Sequence, residues 1–118
     1  MLSKVISCAT YGVNAYLVEV ETHIEKQLPS ISIVGLPDIA VKESRERVTA
    51  AIKNCGFEFP TKKITVNLAP ADIKKEGSSF DLPMAVGILL STEQAAPDVV
   101  EQFVLLGELA LDGSLRPV

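Results

Sequence analysis

The chain has 118 residues, 47% apolar and 22% charged, which is enough for one domain over residues 1–118 with its own core and argues against disorder. Eleven Lys and Arg against 15 Asp and Glu leave a net charge of −4, a balance that argues against a nucleic-acid binder resting on phosphate neutralisation. No run reaches the ~18 apolar residues of a membrane span, and the opening M-L-S-K-V-I-S-C lacks the basic-then-apolar order of a signal peptide. A cytoplasmic location without membrane contact is therefore expected. Cys8 and Cys55 stand far apart and read as reduced. With His23 the single histidine and no C-x-x-C, no metal site is expected.

Residues Ser3–Thr10 read as a first strand and Ala15–Val20 as a second, joined through Tyr11-Gly12-Val13-Asn14 in a β-hairpin. Glu21–Ser30 is a polar connector that leaves room for a strand extension. Ile31–Val34 is a third strand, stopped by Gly35-Leu36-Pro37-Asp38, which reads as a strand-to-helix turn. Asp38 is the expected N-cap of a helix running to Cys55, with Gly56 as its stop. Val41, Val48, Ala51, Ile52 and Cys55 share one face at helical spacing, and Lys42, Glu43, Arg45, Glu46 and Arg47 form the other, with Glu43–Arg47 as an i,i+4 pair.

Lys63–Leu68 alternates apolar and polar residues, as a half-buried strand does. A second helix is expected from Ser79–Asp81 to Leu90, with Pro83 in its first turn and apolar side chains nearly all round. Asp98–Gln102 reads as a short helix, Phe103–Ala110 as a strand, and Asp112-Gly113 as a two-residue hairpin turn before Ser114–Val118. The order is β-β-β-α-β-α-β-β, an α/β (α+β) fold. Because the chain stops within a return strand that would be a poorly protected edge, a piece of a longer protein is expected.

The chemistry concentrates in Asp72–Leu90, where a charged loop bearing glycine and serine enters the apolar helix. No G-x-x-x-x-G-K-[ST], G-x-G-x-x-G or G-x-S-x-G occurs. Ser78 or Ser79 at that junction serves most simply as a helix cap. As a nucleophile Ser79 would need a base, and Lys74 and Lys75 lie in a polar loop that gives no sign of burying them. A third reading makes Arg45, Arg47, Lys62, Lys63, Lys74 and Lys75 a DNA-binding surface.

Five ordered motifs carry a resemblance: I-S-I-V-G-L-P-D at Ile31–Asp38, A-V-K-E-S-R-E-R-V at Ala40–Val48, I-T-V-N-L-A-P-A-D at Ile64–Asp72, K-K-E-G-S-S-F-D-L-P-M-A at Lys74–Ala85 and G-E-L-A-L-D-G at Gly107–Gly113. Together they closely resemble the N-terminal domain of the ComM/YifB family, AAA+ proteins related to the ATPase subunit of magnesium chelatase. The resemblance implies a two-layer sandwich like the proteolytic domain of Lon, with a mixed sheet and a left-handed βαβ crossover. For a full-length protein it implies an AAA+ module using ATP and magnesium, a homohexamer with contacts between neighbouring subunits, and DNA as substrate in branch migration during natural transformation. Within the Lon likeness, Lys75–Asp81 matches the protease motif K-D-G-P-S-A-G and puts Ser79 at the nucleophile's position. Phe80 and Asp81 replace two small residues there, adding bulk and charge where a peptide would approach, and the lysine partner would lie after Val118. Ser79 is thus a vestigial candidate, with no catalytic, cofactor-binding or metal-binding residue expected. The alternative is a serine hydrolase completed by a lysine beyond Val118.

Overall fold

The N-terminal hairpin sets the architecture. In the computed structural model, which describes residues 2–75 and 78–117, β1 (Leu2–Tyr11) and β2 (Asn14–Glu25) pair antiparallel from Leu2↔His23 to Tyr11↔Asn14. Strand β2 runs five residues beyond the expected Val20, because the alternation continues: Thr22 and Ile24 point inward and are buried. β3 (Ser30–Val34), α1 (Asp38–Asn54) and β4 (Lys63–Ala69) form a parallel βαβ unit. β4 also pairs antiparallel with β2, giving a mixed sheet in the order β1-β2-β4-β3. The helices α2 (Asp81–Ser91) and α3 (Pro97–Val100) follow.

The core lies between one face of the sheet and the helices. Period-two alternation sends Val5, Val18, Val20, Ile64, Val66 and Leu68 inward, all at most 1% exposed. Against them sits α2, whose Met84 and Ile88 are also 1% exposed; each such side chain contributes about 1.5–3 kcal/mol by leaving water. Helix α1 buries Ser44, Val48, Ala51 and Ile52, which supports the amphipathic reading, although Cys55 is exposed. Its end is closed as expected around Gly56: Gly56 N–H donates to Lys53 O at 3.1 Å and Phe57 N–H to Ile52 O at 3.2 Å, the paired bonds of a Schellman stop. At the other end Pro37 occupies the N-cap and Asp38 falls in the first turn without a side-chain cap bond, because Pro37 is already extended and the helical dihedrals begin one residue later.

The last two expected strands are not strands. Phe103–Ala110 makes an isolated parallel bridge, Ile6↔Val104, and another bridge joins Leu109 to Leu115. The apolar run is extended, but its backbone groups are divided between one bond to β1 and the start of α2. Leu105 N–H donates to Ile6 O, Gly107 N–H donates to Ser79 O at 2.7 Å, and Leu82 N–H donates to Gly107 O at 3.0 Å. The Asp112-Gly113 turn exists with three loop residues, not two: Ala110 N–H donates to Ser114 O and Gly113 N–H to Ala110 O. Gly113 has φ +91°, which is the glycine position of a three-residue loop, and a Cβ there would collide with Cys55 Sγ. Return-strand residue Val118 lies outside the described residues.

Candidate functional site

The approach to α2 is built around a carboxylate. Asp81, the first helical residue, is completely buried, and an ionised carboxylate there requires donors on every side. It has four. Ser44 Oγ donates to Oδ1 at 2.9 Å, Arg47 Nε donates to Oδ2 at 2.6 Å, and Arg47 Nη2 donates to Oδ1 at 3.2 Å. The fourth is the Leu109 N–H, which donates to Oδ2 at 3.1 Å. Arg47 is only 22% exposed. Its hydrogen bond to Asp81 holds the guanidinium pKa above its ordinary range, and the charges of Asp81, Glu108 and Glu43 act the same way against the opposing effect of burial. The guanidinium is therefore committed across the core, and Glu43 contributes field only; among the described residues Glu43–Arg47 is not an ion pair within 4.0 Å.

This corrects the role expected of Phe80 and Asp81. Phe80 is 1% exposed and Asp81 is 0% exposed, so neither adds bulk or charge to a surface that a peptide could approach. Phe80 is a core residue, and Asp81 fastens α1, α2 and the 105–109 segment together.

The serines do not cap the helix. Phe80 is at the N-cap with no side-chain cap bond; Ser78 Oγ instead donates to Glu108 Oε1, whose carboxylate also faces Arg116. Ser79 is half-buried, its carbonyl is taken by Gly107, and its hydroxyl makes no hydrogen bond among the described residues. Gly77, expected to give this loop an unusual backbone, lies outside the described residues together with Glu76.

Lys75 is not the solvated loop lysine its neighbours imply. It is 3% exposed, and its Nζ donates to Pro70 O at 2.6 Å and Ile73 O at 2.5 Å. Its stem lies along the turn after β3: a Cβ on Gly35 (φ +107°) would stand 2.7 Å from Leu68 O and 3.3 Å from Lys75 Cε. The Gly35 turn is thus packed onto β4 and Lys75, and Lys75 serves as a staple for its own loop. Two of its three ammonium protons are engaged by carbonyls, and among the described residues it makes no hydrogen bond to Ser79.

Nor do the six cations of the DNA-binding reading meet. Arg47 and Lys75 point into the protein, Lys63 is on the outer face of the sheet opposite Glu25, and Lys74 lies apart beside Tyr16, Asp72 and Ile73. Arg45 and Lys62 line a groove beside β3 instead, with Lys53 as a further cation that the sequence did not single out. Ser44, Arg47 and Glu108 are the site residues missed as such. The signal was present in Asp81 itself, a charge set between Phe80 and Leu82 at the head of an apolar run, which calls for a buried partner.

Neither helix start suits a nucleotide triphosphate. α1 carries the exposed Asp38 in its first turn, placing negative charge where a phosphate would sit, and the start of α2 is closed by the buried Phe80 and Asp81. Among the described residues no three His, Cys, Asp or Glu gather to hold a metal, and no helix is long and apolar enough to cross a membrane.

Comparison with known proteins places the chain. Residues 20–118 match the family described as subunit ChlI of Mg-chelatase. Over 117 residues, covering 99% of this chain, it is 52% identical to the uncharacterized protein YifB of Escherichia coli and 49% identical to the competence protein ComM of Haemophilus influenzae. An uncharacterized protein of Mycobacterium tuberculosis is 42% identical over the same length. The chain spans 23% of the length of each of these relatives. With the five motifs in order and the matched family covering most of its residues, the chain belongs to the ChlI family of Mg-chelatase-related proteins, in the group that includes ComM and YifB.

Proposed function

We propose that this chain is a non-catalytic accessory domain of a larger Mg-chelatase-related AAA+ ATPase. The observation that supports this best is the Asp81 cluster. The loop-to-helix junction, where a Lon-like fold would hold a nucleophile, is given over to holding three segments together. Ser78 is bonded to Glu108, Lys75 is turned onto two carbonyls, and the charge following Ser79 is sealed under Arg47. The arrangement stiffens a platform and prepares no proton transfer to or from Ser79. ATP and magnesium belong to the AAA+ part of the full-length protein, since neither helix start of this chain fits a phosphate.

In this reading the domain contacts its own AAA+ module and neighbouring subunits of a cytoplasmic hexamer, and the whole assembly acts on DNA in recombination; one relative is named a competence protein. The Lon-like character of the sandwich and the left-handed sense of its crossover form part of the same proposal.

One observation favours the alternative, a serine hydrolase: the Ser79 hydroxyl carries no hydrogen bond among the described residues. A fluorophosphonate probe applied to the full-length protein and to its Ser79→Ala variant separates the two. Equal, background-level labelling is expected. Labelling of the wild type that disappears in Ser79→Ala overturns the accessory reading. ATP hydrolysis by the 118-residue chain, surviving removal of contaminants, would contradict the assignment of ATP to another part of the protein.

A further inference from the structure

Among the described residues β3 is an outer strand of the sheet, with no strand paired on its far side. Edges of this kind are commonly guarded by charge, proline or a bulge. β3 reads S-I-S-I-V, with no charge and no proline inside the strand. Its backbone phase follows from one bond: Ser30 N–H donates toward β4, to Lys62 O. Successive strand amides alternate in direction, so Ser32 and Val34 also face β4. Ile31 and Ile33 are left to present their N–H and C=O groups outward.

Beside this edge lies a groove of about 410 Å³ between the start of β3 and the overhanging face of α1, floored by Ile31 and Phe59. Arg45 and Lys53 line it from the helix and Lys62 from the loop before β4, with Glu46 as the single carboxylate. Lys53 Nζ stands 5.9 Å from the centre of the Phe59 ring. None of these three cations forms an ion pair among the described residues. By contrast, Arg47, Lys4 and Arg116 face carboxylates and Lys75 faces carbonyls. A chain with net charge −4 thus gathers unpaired positive charge alongside its open edge.

We propose that β3 takes up an extended, acidic segment of another polypeptide by strand addition. The incoming strand hydrogen-bonds to the outward groups of Ile31 and Ile33. Because its side chains alternate, every second one falls on the α1 side. A carboxylate at those positions meets Arg45, Lys53 and Lys62, so main-chain pairing gives affinity and the groove selects for negative charge. A neutral or basic strand finds the same edge without the charge pairing.

The test uses the 118-residue chain and a short fluorescent peptide alternating valine and glutamate, with its lysine-for-glutamate counterpart as control. Saturable anisotropy is expected for the acidic peptide only, together with slowed amide exchange at Ile31 and Ile33. Arg45→Glu with Lys53→Glu should weaken binding about tenfold or more. Ile31→Pro, which removes an outward donor at an edge where proline is tolerated, should abolish it; an amide spectrum confirms folding, and the charge-reversed variant stands if the proline variant does not fold. Equal binding of both peptides, or protection elsewhere on the chain, overturns the proposal. So does single-stranded DNA binding this groove more tightly than the peptide, or a dimer of the chain closing over β3.

Discussion

Replacing Arg47 with alanine tests whether the Asp81 cluster holds the fold. Removing one member of a buried pair costs about 3–5 kcal/mol, because the surviving charge stays dry without its partner. Two features favour the lower end. Arg47 is 22% exposed, so water reaches the vacated position, and Ser44 and the Leu109 N–H keep their bonds to the carboxylate. A loss of about 3 kcal/mol corresponds to a Tm lower by roughly 10–12 °C for a chain of this size. Thermal unfolding followed by circular dichroism reads this directly, and urea melts should show a lower midpoint with an unchanged slope. Combining Arg47→Met with Asp81→Leu and Ser44→Ala should recover part of the loss, since the apolar set carries no charge to desolvate and only the Leu109 N–H loses its acceptor. A Tm change below about 3 °C for Arg47→Ala, or a triple variant no more stable than the single one, would refute the reasoning.

Three further outcomes are expected. A Cβ on Gly87 would overlap Thr22 Oγ1, which is buried and makes no hydrogen bond among the described residues; Gly87→Ala should cost about 1–2 kcal/mol, overpacking outweighing the gain in helix propensity. In a Thr22→Ala background the same substitution should be neutral or stabilising, and strict additivity of the two in denaturant melts would show that they do not touch. Gly113→Ala should lower stability by about 2 kcal/mol or more through its positive φ and the collision with Cys55; Cys55→Ala should restore only part, and full restoration in thermal melts would mean that the backbone conformation carries no cost. The N–H of Ser114, and then its hydroxyl, hold the Asp112 carboxyl below its ordinary 3.8. A depressed folded value means the contribution is present at neutral pH and fades as pH falls through that value. The turn should therefore loosen only below about 3.8, and an NMR titration of Asp112 at or above 3.8 would contradict the bonds from Ser114.

Elements whose evidence is local were readable from the residues alone. Period-two alternation marks β4, the 3.6-residue stripe marks α1, and Gly56 marks its end. What escaped depends on partners far along the chain. Phe103–Ala110 has the composition of a strand, yet whether it pairs in a sheet is decided by Ser79 and Leu82 claiming Gly107. Lys75 reads as solvated because its neighbours are charged, while its stem is covered by the turn at Gly35. Asp81, set in an apolar run, calls for a partner, but Arg47, 34 residues away, is identified only when the fold brings it beside the carboxylate. Arg47 itself had a ready local explanation in Glu43, and that local pairing hid the distant one.

The carboxylate of Asp81 closes chain loops of 37, 34 and 28 residues with its bonds to Ser44, Arg47 and Leu109. Loops of such length close late, after their entropy has been lost. Until they do, seating α2 on the sheet would strand a dry, unpaired anion, at a cost of several kcal/mol. The most apolar helix of the chain is thereby barred from collapsing early onto the wrong surface. Near-native packings that lack α1 or the 105–109 segment are raised in energy, which widens the gap beneath them. Low φ-values at Ser44 and Arg47 would be the kinetic mark of this ordering: the anion acts as a gate on assembly as well as a tie within the finished fold.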